Sequence, residues 1–240
     1  MFWTFVAPKG GVGLSVVVAA VACQLSIEQP VTIVDFAGDQ MDIFGLGAEP
    51  ATPGVVDWLL ADESVAVSAL GHLAVDVGRT LRIISTGTTS FVGGADPQRC
   101  TELVRSLSAG GTVIADLGVV NPDPLASTSL IAAAGDRTTL VVRACYLALR
   151  RARSIPMVVD DVVEIVEGGR ALTTVDIEAV LGQPVTARLP FDPQIARAVD
   201  AGLMRRRLPR SLRRLVTDLE IGLPLDRHEA RSIGNLLGGR

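Results

Sequence analysis

The sequence predicts a three-layer α/β fold, in which a mostly parallel, twisted sheet of about seven or eight strands lies between helices on both faces. Two observations support this class. Short apolar, β-branched runs alternate with helix-length segments, and a glycine-rich stretch follows the first run. With 240 residues, of which 48% are hydrophobic, the chain can bury a large core without disulfides.

Each predicted strand is a short run rich in valine, isoleucine, leucine or threonine, and each predicted helix fills the segment between two such runs. The strands, in order, are Trp3–Ala7, Val31–Asp35, Leu81–Ser85, Thr112–Leu117, Thr139–Arg143, Val162–Val166 and Val185–Leu189. The helices are Leu14–Ile27, Val55–Leu60, Pro97–Leu107, Pro124–Ala133, Leu147–Val159, Thr174–Leu181 and Pro193–Ala201. Since no repeat or linker divides this alternation, we expect one domain over residues 1–222 and a C-terminal tail over residues 223–240.

The composition excludes several classes of protein. The longest apolar run, Val16–Cys23, is far shorter than the roughly 18 to 20 residues that cross a bilayer, and the N-terminus lacks the basic region of a signal peptide. We therefore expect a cytoplasmic protein. A net charge of −4 argues against a protein that covers nucleic acid with its whole surface. The three cysteines lack CxxC spacing and the two histidines have no partners nearby in sequence, so we expect no disulfide framework and no zinc site.

The most specific motif is the stretch PKGGVGLS at residues 8–15, directly between the first strand and the first helix. Glycines in such a loop let backbone N–H groups converge on an anion, and the helix points its positive end at the same place. In an ordinary phosphate loop, a lysine precedes the serine or threonine whose hydroxyl coordinates magnesium. Here Leu14 occupies the lysine position. We expect a phosphate-binding site formed by Lys9, Gly10, Gly11, Val12, Gly13, Leu14, Ser15 and Val16.

This motif resembles that of the MinD/ParA family of deviant phosphate-loop ATPases, which reads KGGxGK[ST]. The residues that match are Lys9, Gly10, Gly11, Val12, Gly13 and Ser15. The sequence departs from the family at Leu14 and at Val16, where the family commonly has threonine or serine. In that family the first lysine reaches across a sandwich dimer to the partner's nucleotide. The resemblance therefore implies a phosphate-loop NTPase-like fold, a homodimer, ATP and Mg²⁺, and a contact to the partner's nucleotide for Lys9, which is the only lysine of the chain.

Two further stretches are similar to motifs of the same family. Asp35 ends the second strand, where the family usually has Asp-x-Asp, and Ala37 occupies the position of the second aspartate, which helps to position the attacking water. Asp116 ends the strand Thr112–Leu117 and resembles the Walker B carboxylate. The resemblance implies Ser15, Asp35 and Asp116 as metal-site residues, with Asp39 as a candidate replacement for the lost second aspartate.

These departures predict a damaged site, to which we assign no catalytic residue. The loss of a charge-assisted contact to phosphate costs about 1.5 to 3 kcal/mol, which weakens binding by about ten-fold to over a hundred-fold. Phosphoryl transfer also depends on positioning, so Ala37 predicts weak or absent ATP hydrolysis. Near Val162–Gly169 the family has an Asn-Arg pair that reads adenine, whereas this chain has Glu164, Glu167 and Gly169. We expect ATP and Mg²⁺ to bind weakly or not at all.

Three segments are similar to one branch of the family, the TadZ/CpaE pilus-assembly proteins. They are Gly54–Leu60, Leu172–Gly182 and Leu189–Pro193. The favoured function is therefore a dimeric pseudo-ATPase that acts as a localisation or assembly factor, with partners in a Tad-type pilus or related secretion system. One alternative is an active ATPase with nucleotide-switched dimerisation that positions cargo, DNA or the division site, in which Lys9 takes over the phosphate contact. Another is an interaction module that has lost nucleotide altogether.

The segment Leu203–Leu219 is rich in arginine and has the pattern of an amphipathic helix after Pro209. We favour a helix that docks on the sheet through its leucines and leaves its arginines solvated. Peripheral contact with the inner face of the membrane is the second interpretation, and contact with nucleic acid is the third. The arginines concerned are Arg205, Arg206, Arg207, Arg210, Arg213 and Arg214.

Overall fold

A computed structural model describes residues 1–47, 52–62, 64–89, 94–206 and 208–221. The strands in these residues are β1 (Phe2–Ala7), β2 (Val31–Asp35), β3 (Ala74–Asp76), β4 (Leu81–Ile84), β5 (Thr112–Val119), β6 (Arg137–Arg143), β7 (Asp161–Val166) and β8 (Ala187–Pro190). They form one sheet in the order β3-β4-β2-β5-β1-β6-β7-β8. Only the pair of β3 and β4 is antiparallel, so the predicted, mostly parallel sheet is confirmed.

Helices connect the strands. They are α1 (Leu14–Leu25), α2 (Gln40–Ile43), α3 (Val55–Leu60), α4 (Pro97–Ala109), α5 (Ser127–Ala134), α6 (Tyr146–Ala152), α7 (Thr174–Leu181), α8 (Pro193–Asp200) and α9 (Arg210–Ile221), with a 3₁₀ helix at Val67–His72. The prediction of a helix up to Val159 was wrong, because α6 ends at Ala152. Pro156 explains this, since the ring of a proline clashes with the preceding helical turn and its nitrogen carries no N–H.

The helices cover both faces of the sheet. Along β1, Trp3 and Phe5 enter one hydrophobic cluster, together with residues of α1, α8 and α9. Phe2 and Val6 point to the other face and enter a second cluster, with residues of α3 to α7. This alternation places helices on both sides of a buried sheet, as expected for parallel strands. The three-layer prediction is therefore confirmed.

The arginine-rich segment contains α9, which starts at Arg210, directly after Pro209. Its apolar side chains are fully buried and pack against α1 and β8: Leu212, Leu215, Val216 and Leu219. Arg210, Arg213 and Arg214 are exposed on the opposite face. Arg207 and the predicted tail over residues 223–240 lie outside the described residues. Among the helices that the structure describes, none has both the length and the apolar character needed to cross a membrane.

Candidate functional site

The glycine-rich loop, residues 8–13, joins the end of β1 to the start of α1. Gly11 and Gly13 adopt φ angles of +73° and +95°, which residues with a Cβ rarely reach. Gly13 is also the N-cap of α1, and it has no side chain to accept hydrogen bonds from the first turn. The first amide groups of α1 and the positive end of its dipole therefore lie at the loop, an arrangement that favours an anion.

The loop forms one wall of a cavity of about 1090 Å³. The other walls come from the segments after β2 and β5, the start of α5, the last residue of β6 and the end of α8. All of the residues predicted to bind a cofactor line this cavity: Lys9, Gly10, Gly11, Val12, Gly13, Leu14, Ser15 and Val16. The volume is at the upper end of the range found for small-molecule sites, so a nucleotide fits by size.

Leu14 contributes an apolar side chain where the ordinary motif has a cation. It is 6% exposed and belongs to the hydrophobic cluster that contains α1 and α9. Lys9 also lines the cavity, but its Nζ donates an exposed hydrogen bond of 3.0 Å to the carbonyl oxygen of Gly10 in its own loop. The ammonium group of Lys9 therefore lies exposed at the surface of the loop.

Asp35 and Asp116 are paired across β2 and β5 and are both fully buried. The carboxylate of Asp35 accepts hydrogen bonds from the backbone N–H groups of Ala37, Gly38 and Gln40 at 3.1, 2.7 and 2.9 Å. Burial, with a further contribution from the charge of Asp116, nevertheless raises the pKa of Asp35 to about 7. Burial also raises the pKa of Asp116 above its usual range. Two carboxyl groups that resist ionisation thus stand side by side next to the loop.

Gln40, which the sequence analysis did not select, links these carboxyl groups to the loop. Its Nε2 donates to the backbone oxygen of Ser15 at 3.0 Å and to Oδ2 of Asp116 at 2.9 Å. Its Oε1 is buried without a hydrogen-bond partner. Ser15 Oγ donates to Oδ2 of Asp39 at 3.0 Å, and Asp39 lines the cavity. The structure therefore brings Ser15, Asp116 and Asp39 together through one polar network.

Of the three residues predicted for a metal site, Ser15 lines the cavity, whereas Asp35 and Asp116 are fully buried behind it and do not line it. Mg²⁺ prefers oxygen ligands, keeps several waters and commonly takes one or two carboxylates together with phosphate oxygens. Ser15 Oγ is such a ligand. The carboxyl oxygens of Asp35 and Asp116 already accept hydrogen bonds inside the protein, so these two residues would act on a cation through water, and its charge would offset the burial that raises both carboxyl pKa values. In the described part of the chain, no three Asp, Glu, His or Cys side chains are grouped so as to hold a metal alone. Water and ligand phosphate would have to complete the coordination.

Arg143, at the end of β6, is a cavity residue that sequence reasoning also missed. Its Nε donates to the carbonyl oxygen of Val12 at 3.2 Å, and its Nη1 donates to Oε1 of Glu167 at 2.5 Å. Glu167 also forms an ion pair with Arg170. The hydrogen bond from Arg170, with contributions from the charges of Arg143 and Lys9, holds the pKa of Glu167 below its usual range.

Glu164, the other acidic residue in the segment where the family has its Asn-Arg pair, lies outside this site. It is 3% exposed, accepts hydrogen bonds from Thr174 Oγ1 at 2.6 Å and Arg188 Nε at 3.0 Å, and does not line the cavity. Ala37 does line it, and it presents only a methyl group where the resemblance would place a carboxylate.

No protein-family model and no curated protein matches this chain, but solved structures do. A ParA-family ATPase from Chlorobium tepidum is 22% identical, with a TM-score of 0.74 over 92% of this chain and 99% of that chain. A chain of the MinC:MinD cell division complex from Aquifex aeolicus is 17% identical, with a TM-score of 0.72 over 95% and 99%. MinD from Pyrococcus horikoshii in complex with Mg-ADP is 17% identical, with a TM-score of 0.71 over 92% and 94%. The chain therefore has the fold of MinD and ParA.

Proposed function

We propose that this protein is a MinD/ParA-like, dimeric factor that positions or assembles other cellular components, and that it binds nucleotide weakly and hydrolyses it slowly or not at all. One observation carries the proposal: a glycine loop with the backbone geometry of an anion site is combined with two apolar side chains, Leu14 and Ala37, in the same cavity. The fold is that of positioning ATPases, whereas the two substitutions remove a charge and a carboxylate that phosphoryl transfer would use.

Binding of ATP would use the backbone of the loop. Its amide groups and the start of α1 would hold the phosphates, and Ser15, Asp35 and Asp116 would hold Mg²⁺. Bound Mg²⁺ would supply positive charge that offsets the charge of the phosphates. The weak affinity follows from Leu14, because the backbone donors act without the charge-assisted contact that a lysine supplies. The MinD structure from Pyrococcus horikoshii in complex with Mg-ADP supports nucleotide as a ligand for this fold.

Slow hydrolysis follows from the methyl group of Ala37, which cannot orient a water molecule.

The second candidate function, an active ATPase, is favoured by Asp39. This residue lines the cavity and accepts a hydrogen bond from Ser15, so its carboxylate lies beside the hydroxyl that is proposed to bind Mg²⁺. An Asp39→Ala variant that loses a measurable rate of phosphate release would favour the active ATPase.

Three exposed side chains around the cavity support a homodimer. Tyr146 and Leu125 are 72% and 71% exposed, and Val119 is 47% exposed. Val119 and Leu125 line the cavity, and Tyr146 starts α6, three residues after the cavity residue Arg143. Exposed aromatic and aliphatic side chains grouped at one edge are typical of interaction surfaces. A second copy bound at this edge would also bring Lys9 close to the partner's cavity.

We assign the partners to a Tad-type pilus or a related secretion system. This part of the proposal rests on the similarity of Gly54–Leu60, Leu172–Gly182 and Leu189–Pro193 to the TadZ/CpaE branch. The MinC:MinD complex supports a partner protein for a chain with this fold.

We place the protein in the cytoplasm. Contact with the membrane or with nucleic acid would be electrostatic, through exposed arginines such as Arg213 and Arg214, because the leucines of α9 are buried.

The test is a titration with fluorescent ATP and magnesium, with molar mass followed by light scattering. Leu14→Lys should bind ATP about ten-fold to a hundred-fold more tightly than the native protein, since it restores a charged contact to phosphate. Lys9→Ala should weaken dimerisation, because Lys9 is proposed to face the partner. Arg188→Ala, which removes an exposed cation from outside the cavity, is the matched control and should change neither property.

Tight binding and steady phosphate release by the native protein would contradict the pseudo-ATPase proposal and favour the active enzyme. If the protein is a dimer but neither the native form nor Leu14→Lys binds nucleotide, the result would favour an interaction module without a nucleotide role. A monomer under all conditions would contradict the dimeric factor.

A further inference from the structure

Acidic side chains outnumber basic ones on the cavity wall. Among the described residues that line the cavity, the basic ones are Lys9 and Arg143. The acidic ones are Asp39, Asp42, Asp123 and Asp200. Because the ammonium of Lys9 lies in an exposed hydrogen bond within its own loop, Arg143 is the better placed of the two cations to act within the cavity.

Arg143 is held against the phosphate loop itself. β6 lies beside β1 in the sheet, so the last residue of β6 reaches the loop that follows β1. The side chain is 23% exposed, and its Nε donates to the backbone oxygen of Val12 in the middle of the glycine loop. Its Nη1 bonds to Glu167, and a guanidinium group has further N–H donors beyond these two.

Glu167 is the acidic residue that offsets the positive charge around Arg143. Its carboxylate pairs with Arg143 and Arg170, and the charge of Lys9 also acts on it. Three basic side chains therefore surround one carboxylate. Glu167 and Arg170 do not line the cavity, whereas Arg143 and Lys9 do. An anion that enters the cavity beside Arg143 would thus meet an excess of positive charge.

We propose that Arg143 binds the phosphate groups of a nucleoside polyphosphate in this cavity, replaces the cation lost at Leu14, and is held by Glu167 in the absence of ligand. This inference rests on the proposed nucleotide binding. A guanidinium group suits the role, because its planar fork matches two phosphate oxygens and carries a permanent charge. The contact is to phosphate rather than to the base, so it should strengthen binding from AMP to ADP to ATP.

The experiment measures the affinity of the full chain for ATP, ADP, AMP and inorganic pyrophosphate by calorimetry with magnesium present. Arg143→Gln should weaken ATP and pyrophosphate binding by about ten-fold or more and leave AMP binding within about two-fold. Glu167→Gln should strengthen ATP binding by about three-fold to ten-fold, since the carboxylate that competes with phosphate for the guanidinium becomes neutral. The two variants are thus expected to act in opposite directions.

Arg188→Gln is the matched control, because it breaks another arginine–glutamate pair outside the cavity, with Glu164. It should leave all four affinities within about two-fold. A combined Leu14→Lys and Arg143→Gln variant should recover most of the lost affinity, since the introduced lysine would replace the arginine. Thermal unfolding without ligand identifies variants that lose structure, and Arg143→Met, which keeps much of the side-chain length without the charge, replaces Arg143→Gln if the latter does not fold.

Two results would overturn the inference while nucleotide binding itself stands. In one, Arg143→Gln or Arg143→Met folds and binds ATP as tightly as the native protein. In the other, Glu167→Gln weakens ATP binding, which would make Glu167 a support for the loop rather than a competitor of phosphate. Failure of the native protein to bind either ATP or pyrophosphate would contradict the proposed function as well, and is therefore distinguishable.

Discussion

The side chain at position 14 lies both in the hydrophobic core and on the wall of the cavity, so it affects packing as well as ligand binding. Most of α1 is buried, including Leu14 itself, and the helix packs between the sheet and α9. A lysine here would have to bury its stem and extend its ammonium into the cavity. A leucine satisfies the packing demand alone. Leucine at position 14 therefore keeps the packing of α1 and leaves the cavity without the charge that a lysine would supply.

Asp35 gives a prediction for the dependence of stability on pH. Its pKa of about 7 in the folded chain lies above the ordinary value of 3.8, so the folded state holds a proton that the unfolded state releases between these values. The stability that this proton provides is complete below about pH 4 and is lost as the pH rises toward 7. In the native protein, the free energy of unfolding should fall by up to about 1.4 kcal/mol per pH unit as the pH approaches 7. In Asp35→Asn this fall should be smaller. Urea unfolding at pH 5, 6 and 7 measures the effect.

The control for this prediction is Asp192→Asn, a change at a half-buried helix cap away from the buried pair. It should shift stability by a similar amount at each of these pH values. If Asp35→Asn and the native protein lose stability in parallel between pH 5 and 7, Asp35 does not hold the proton.

At the scale of elements, the long parallel strands were predictable and the short connections were not. β2, α3 and α7 have the predicted bounds, because each is a continuous apolar or capped segment. β3 spans only Ala74–Asp76 at the edge of the sheet, too short for a periodic pattern to emerge. α2 spans only four residues, and it follows the polar turn after Asp35.

The candidate site was predictable only where it is local in sequence. The glycine loop and the aspartates at the strand ends follow from motifs, whereas Gln40 and Arg143 do not. Arg143 lies 131 positions after Val12 and contacts it only because β6 pairs with β1. Gln40 meets Asp116 across two strands in the same way. Contacts of this kind depend on sheet order, which a single sequence does not encode in any local pattern.

α9 gives a prediction about packing. Leu215 is fully buried between α1 and β8, so Leu215→Ala should lower the free energy of unfolding by about 2 to 5 kcal/mol. Arg214→Ala, the neighbouring change on the exposed face, should stay within about 0.5 kcal/mol. Chemical denaturation of both variants provides the measurement. Equal effects of the two changes would contradict the docked position of the helix.

At the scale of the whole molecule, the strand order explains why the site lies where it does. The chain crosses from β1 to β2 on one side, and later from β5 over β1 to β6 on the other. The loop after β1 therefore lies where neighbouring connections run in opposite directions. In open parallel sheets, ligands bind at this point, outside the carboxyl ends of the strands. The exposed side chains of Val119, Leu125 and Tyr146 also lie beyond the carboxyl ends of the strands. The candidate ligand site and the proposed interface therefore coincide.

This coincidence predicts where a charge should disrupt the proposed dimer. Tyr146 and Val158 are almost equally exposed, at 72% and 73%, but Tyr146 follows the carboxyl end of β6 and Val158 precedes the amino end of β7. Tyr146→Glu should weaken dimerisation by about a hundred-fold or more, because an unpaired carboxylate would be buried at the interface. Val158→Glu should leave dimerisation unchanged. Light scattering over a dilution series, with and without ATP and magnesium, gives the dissociation constants. If Val158→Glu dissociates the dimer while Tyr146→Glu does not, the interface lies at the opposite edge of the sheet and Lys9 cannot reach the partner's cavity.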